Sequence, residues 1–150
     1  MNALSAATLH RLEELHNSMK QVLAVLPADA LDWSPAQEVN SVAVLVAHVC
    51  GSERFWIGEK VGGLTIQRDR DAEFVVRGID GAELAAMLDD TLAMARSVLG
   101  ILSLADLTRP AGASKNGFVY DVAWALQHAL EHVALHTGHI ELMRQWWENH

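Results

Sequence analysis

Apolar residues recur every three or four positions along most of the chain, the spacing of one face of a helix. Leu12, Leu15, Met19, Val22 and Leu26 set that period in a first helix, from about Leu4 to Leu26, and Pro27 ends it. The connector "PADALDWSPAQEV" follows. Pro35 holds Ser34 extended, so Trp33-Ser34-Pro35 forms a turn that tucks an indole against the bundle. A second helix starts from an Asn40 or Ser41 cap and runs to about Lys60, where Gly62-Gly63 stops it. Asp80 and Glu83 fit a capping box for a third helix reaching about Leu102. Its stripe is Leu84, Met87, Leu88, Leu92, Ala95 and Leu99. Beyond the turn-rich "SLADLTRPAGASKNG", a fourth helix starts near Phe118 and extends to about Glu148, roughly 45 Å at 1.5 Å per residue.

This pattern predicts an all-α protein, a four-helix bundle forming one domain over residues 1–150. The middle connection, residues 61–79, is long. It can carry the chain back along the bundle and leave helices two and three roughly parallel. A structureless loop of that length is unusual, so the crossover is expected to form a lid, a short strand or an extra helix.

Composition narrows the function. The net charge of −8 argues against a nucleic-acid partner, whose phosphates call for a basic face. It argues equally against an anionic membrane surface. The longest apolar run, Val42–Ala47, is far too short to span a bilayer, which takes about 18 residues or more. The N-terminal stretch lacks the basic start and apolar centre of a secretory signal. Cys50 is the single cysteine, so no intramolecular disulfide forms and a reducing cytoplasm is the expected compartment.

Chemistry concentrates in "HALEHVALHTGHI", which holds His128, His132, His136 and His139, half of the chain's eight histidines. At 100° per residue the four fall within an arc of about 80°. On that wheel they occupy the middle of the apolar face, among Trp124, Ala125, Ala129, Val133, Leu135, Ile140, Leu142, Met143 and Trp146. A buried imidazole needs partners, and neighbouring imidazolium ions repel one another. A divalent cation resolves both problems by taking neutral imidazole lone pairs. His132 and His136 are one turn apart, so both rings reach one ion. His48, on the face of helix two that also carries Val44, Leu45, Ser52 and Phe55, is the candidate third ligand. Three histidines leave a coordination position open, the layout of a reactive site. The competing reading is a set of hydrogen-bonded core histidines.

Other metal motifs fit poorly. "EHVALH" is not the H-E-x-x-H of zinc proteases. A di-iron bundle needs two Glu-x-x-His motifs, and only Glu13-x-x-His16 matches.

At these residues the chain resembles the DinB/YfiT-like superfamily of bacterial metalloproteins. "LDWSPAQEVNSVAVLVAHV" is similar to that family's Trp-x-Pro turn, Asn-Ser helix start and first metal histidine. "HALEHVALHTGHIELMRQWW" is similar to its last helix, with H-x-x-x-H-x-G ending at Gly138. His139 stands where glutamine is frequent. The resemblance covers nearly the whole chain and carries the ligand triad onto His48, His132 and His136. It implies an up-down-down-up bundle, a divalent metal (zinc or nickel) and a homodimer. It also implies, for some members, thiol-dependent S-transferase or isomerase activity with bacillithiol or mycothiol.

Two classes of function compete. In an enzyme, the metal would lower the pKa of a low-molecular-weight thiol and so activate it toward a small-molecule substrate, or activate water as a hydrolase. His128, His139 and Phe55 would then line the pocket or support the ligands, with either histidine as proton shuttle. Arg68, Arg70 and Arg77, in the crossover, are candidates to hold carboxylates of a thiol or substrate. Cys50, two residues from His48, points about 160° away from it on a helix and is expected to pack elsewhere. The other class is a non-enzymatic, metal-binding stress-response module, with Trp56, Trp146 and Trp147 on a partner surface.

Overall fold

The computed structural model describes residues 1–150. Helix α1 (Ala3–Val25) starts where the Asn2 side chain accepts from the Ser5 amide, and it stops before Pro27. The connector that follows is not wholly irregular, because Ala28–Asp32 forms a one-turn helix, α2. Trp33 then packs edge-on against Trp147, with ring centroids 5.6 Å apart.

Helix α3 (Val42–Glu53) is capped by Ser41, whose hydroxyl accepts from the Val44 amide. It continues without a break as a π-helix over Arg54–Val61. The wider turn changes the angular register beyond Glu53, so heptad spacing no longer projects from α3 into this segment. Gly62, at its end, lies so close to the neighbouring bundle helix that a β-carbon would sit 2.7 Å from a Val98 methyl.

The crossover contains one helical turn, α4 (Arg70–Glu73), capped by Asp69. Helix α5 (Gly81–Ile101) begins at Asp80 with both bonds of the capping box to Glu83 in place.

The linker after α5 departs from expectation. A 3₁₀ turn, Ala105–Thr108, leads into a hairpin of β1 (Pro110–Ala113) and β2 (Val119–Asp121). The turn between them uses Gly117 at φ +86°, a conformation glycine adopts freely. The fourth long helix, α6 (Val122–Glu148), therefore starts at Asp121, whose carboxylate accepts from the Trp124 amide, and not near Phe118. Val119 is exposed and Tyr120 buried, an alternation of period two that marks these residues as strand.

The four long elements form an up-down-down-up four-helix bundle. Helix α1 packs between α5 and α6, and α3 closes the opposite side against the same two helices. A continuous cluster of 30 buried apolar residues fills the interior. Within it, His16 of α1 is fully buried: Nδ1 donates to the Leu88 carbonyl at 3.1 Å, and Nε2 lies 2.7 Å from a Glu53 carboxyl oxygen. His16 thus pairs across helices and not with Glu13. No helix is long and apolar enough to cross a membrane.

The wheel for α6 needs one correction. Its buried residues are Val122, Ala125, Leu126, Ala129, Val133, Thr137, Ile140 and Met143. They centre about 120° from His128 at 100° per residue. Leu135, Leu142, Trp124 and Trp146 are exposed by a third or more. The histidines therefore line one edge of the buried stripe and not its middle, because Thr137 is buried where those apolar residues are not.

Candidate metal centre

That edge faces α3. His48 projects from α3, and His132 and His136 from successive turns of α6, so that one ring nitrogen of each lies within 4.8 Å of the others. His48 Nε2 and His132 Nε2 are 3.1 Å apart. Two imidazole nitrogens bound to one tetrahedral zinc at 2.0–2.1 Å would be separated by about 3.3 Å. The donors present fit a divalent cation. As core histidines they fit less well: three rings converge, yet only one hydrogen bond links them.

The carboxylate of Glu73, in α4, lies 2.9 Å from His48 Nδ1. A carboxylate only accepts, so the ring hydrogen sits on Nδ1 and the Nε2 lone pair points toward the other two histidines. Arg68 grips the same carboxylate with two bonds, Nε to Oε1 at 2.6 Å and Nη2 to Oε2 at 2.9 Å. Burial pushes the Glu73 carboxyl up, but the hydrogen bonds from Arg68 and His48 and the charge of Arg68 outweigh it and hold the group below its usual range. A close approach to α3 makes this possible. A β-carbon on Gly51 would lie 2.0 Å from Glu73 Oε1.

Burial, reinforced by repulsion from the neighbouring histidines, lowers His132 to about 3 and His136 to about 4. Both rings are neutral at pH 7, with lone pairs to give.

The flanking residues divide. His139 is exposed, with Nδ1 3.2 Å from Nδ1 of His136. His128 stacks on Trp124 at 4.9 Å and meets Trp56 edge-on at 4.6 Å, its ring 6.4 Å from that of His132. Phe55, expected on the His48 face, packs on Trp56, with the Lys60 ammonium 4.6 Å and the Arg68 guanidinium 5.7 Å from its ring centre. It sits past the point where the π-helix shifts the register. Phe74 lies 4.9 Å from the His48 ring.

Of the three crossover arginines, Arg68 is committed to Glu73, Arg70 lies over Phe74 at 4.9 Å, and Arg77 is exposed. Cys50 is buried, and burial pushes its thiol up to about 12. Trp56, Trp146 and Trp147 sit apart, at the hairpin, on the outer edge of α6 and against Trp33.

Sequence reasoning did not find Glu73 or Phe74. Neither belongs to a periodic stripe. Their only local signal is the Asp69 cap that ends the extended part of the crossover four residues earlier.

The sequence model of the DinB superfamily matches residues 11–140. No curated protein matches the sequence significantly. Among solved structures, YfiT from Bacillus subtilis, described as a "probable metal-dependent hydrolase with an unusual four-helix bundle topology", superposes with a TM-score of 0.79 at 18% identity. That similarity covers 99% of this chain and 90% of YfiT. The DinB-like protein YjoA, also from Bacillus subtilis, gives 0.73 at 17% identity, over 96% of this chain and 93% of its own. A mycothiol-dependent maleylpyruvate isomerase gives 0.66 at 12% identity, over 89% of this chain and 59% of the isomerase. At these identities the similarity is one of fold.

Proposed function

The chain belongs to the DinB superfamily, and from that premise we propose that it is a divalent-metal-dependent enzyme of the hydrolase type, with His48, His132 and His136 as ligands. The observation that carries this reading is the aim of His48. Its Nδ1–H is tied to a carboxylate that Arg68 locks in place, which turns the Nε2 lone pair toward two neutral imidazoles.

A divalent cation held by three imidazoles supplies Lewis acidity and lowers the pKa of a coordinated water toward neutrality. Zinc or nickel suits such a donor set. The chain's own residues do the rest. Glu73 orients His48 and raises its basicity as a ligand. His139, exposed next to His136, holds or passes a proton at the rim of the site. His128, clamped between Trp56 and Trp124, shapes the opposite rim.

The thiol-dependent transferase or isomerase is the second reading, favoured by the fold shared with the mycothiol-dependent isomerase. It loses one support, because Arg68, a candidate to hold a cofactor carboxylate, is already paired with Glu73.

The test is elemental analysis of protein purified without a metal-affinity tag, then turnover of a panel of activated esters and amides. About one divalent metal per chain is expected, lost in a folded His132→Ala variant. Chelator-sensitive turnover without added thiol supports the hydrolase. Turnover only when a low-molecular-weight thiol is supplied would replace it with the transferase. Metal-free protein that His132→Ala leaves unchanged would remove the metal reading altogether.

A further inference from the structure

A cavity of about 270 Å³ opens directly beside the triad, and His136 belongs to both. Its apolar wall is Val39 from the connector before α3, Leu45 from α3, and Leu142, Met143 and Trp146 from α6, with the Asn40 amide at its edge. His139 stands at the junction between the walls and the ligand His136. No lysine or arginine lines the cavity, and its one charged group is the carboxylate of Glu38. Leu142 and Trp146 leave 38% and 43% of their surface open, so apolar area faces the space unpaired.

We propose that this cavity is the specificity pocket for an uncharged, short aliphatic or aromatic arm on a small substrate whose polar end lies at the His48–His132–His136 centre. The inference rests on the metal reading above and adds to it the class of substrate. Size and charge carry it. Pockets that swallow a whole drug-sized ligand run from about 300 Å³ upward, so a space of this volume takes an arm and not an entire large cofactor. Glu38 repels an anionic arm, and the lining holds no lysine or arginine to balance the charge of a carboxylate or phosphate, its other polar groups being the Asn40 amide and the imidazoles of His136 and His139. A larger cavity, about 610 Å³ between α3, the crossover and α5, includes Glu73 and Arg68 but none of the three histidines. A ligand there would meet the back of the Glu73–Arg68 pair and no triad nitrogen.

Hydroxamates test the proposal, because their head group chelates a catalytic metal while the tail is varied. Zinc-loaded protein is titrated calorimetrically with acetohydroxamate and with hexanohydroxamate, which has four more methylenes. Each fully buried methylene is worth about fourfold in affinity, so in this partly open cavity the longer ligand is expected to bind at least about tenfold more tightly. Leu142→Ser and Trp146→Ala, both at exposed positions, should erase most of that advantage without lowering zinc content. Trp124→Ala, on the opposite flank, should preserve it. Equal binding of the two hydroxamates overturns the pocket and leaves the metal centre standing. Loss of the advantage in Trp124→Ala instead puts the arm on the wrong flank and also overturns it. A change of oligomeric state in Leu142→Ser, with no preference for the longer tail, assigns the apolar face to a second copy of the chain. If no metal-dependent hydroxamate binding occurs at all, the metal reading fails and the pocket falls with it.

Discussion

Gly51→Ala is the most informative single perturbation of the site. The added β-carbon would lie 2.0 Å from Glu73 Oε1 and 2.6 Å from the carboxyl carbon. Ordinary contact begins near 3.4 Å, so the carboxyl group must retreat by more than an ångström. Its bond to His48 Nδ1 is already 2.9 Å long and does not survive such a shift. The obstructing atoms are the end of a side chain, so the helix itself need not move. Alanine is also the better helix former by about 0.5–1 kcal/mol, which offsets part of the strain. The expected result is a near-normal melting temperature with zinc affinity reduced about 10- to 100-fold, the usual cost of losing the group that orients a ligand histidine. Competition against a chromophoric chelator measures this directly. Glu73→Ala should cost the same amount and vacate the space, so adding Gly51→Ala to it should cost nothing more. Wild-type affinity in Gly51→Ala, or costs that simply add in the double variant, would refute the chain of reasoning from Gly51 through Glu73 to His48.

Other outcomes follow from groups elsewhere. His132 and His136 resist protonation down to about 3 and 4 in the folded chain, whereas unfolded imidazoles take up protons near 6.5, so the unfolded state binds more protons between those limits. Metal-free protein should therefore lose stability as pH falls below about 6.5, and a melting temperature that stays flat from pH 7.5 to 5 would contradict it. Glu53→Ala strips the partner from fully buried His16 and should destabilise the fold by about 3–5 kcal/mol in urea denaturation, while replacing both residues with leucine should recover much of that loss. A cost under about 1 kcal/mol for Glu53→Ala would mean the pair does not hold the core. Cys50, buried and pushed up to about 12, should ignore a disulfide reagent at pH 8 until the protein is denatured. Labelling of native protein at the rate of a free thiol would show that α3 opens readily.

Local signals in the sequence carried the four long helices. The Ser41 cap, the Asp80–Glu83 box and Pro27 each act within a few residues of themselves, and each is where those signals place it. The convergence of His48, His132 and His136 was legible for a similar reason: two of them lie one turn apart, and the third lies on a helix that the bundle must bring alongside. What stayed hidden depends on geometry that no window of sequence contains. The π-helical turn at Arg54–Val61 has the composition of an α-helix, so the packing of Phe55 on Trp56 could not be read from α-helical spacing. The hairpin was concealed because Phe118–Asp121 reads as the start of α6 unless the Gly117 turn and the Asp121 cap are weighed together. Glu73 is separated from His48 by 25 residues, and only the path of the crossover joins them.

That path explains why the site is open on one side only. If the histidines occupied the centre of the α6 stripe, the helices packed against α6, chiefly α1 and α3, would close over the remaining coordination position, since Val133 and Ile140 at that centre are fully buried. Placed at the edge, they face α3 on one side and solvent on the other. The crossover then covers the α3 side alone, where α4 brings Glu73 and Phe74 onto His48. The α6 side keeps its gap between Trp146 and His139. One end of the triad is thereby fixed by a buried carboxylate, and the other is left to whatever fills the cavity. Substitutions at Gly51 and Glu73 should accordingly change metal affinity with little effect on ligand preference, and substitutions at Leu142 and Trp146 should do the reverse. A variant from either pair that moved both properties together would show that the two ends are not independent.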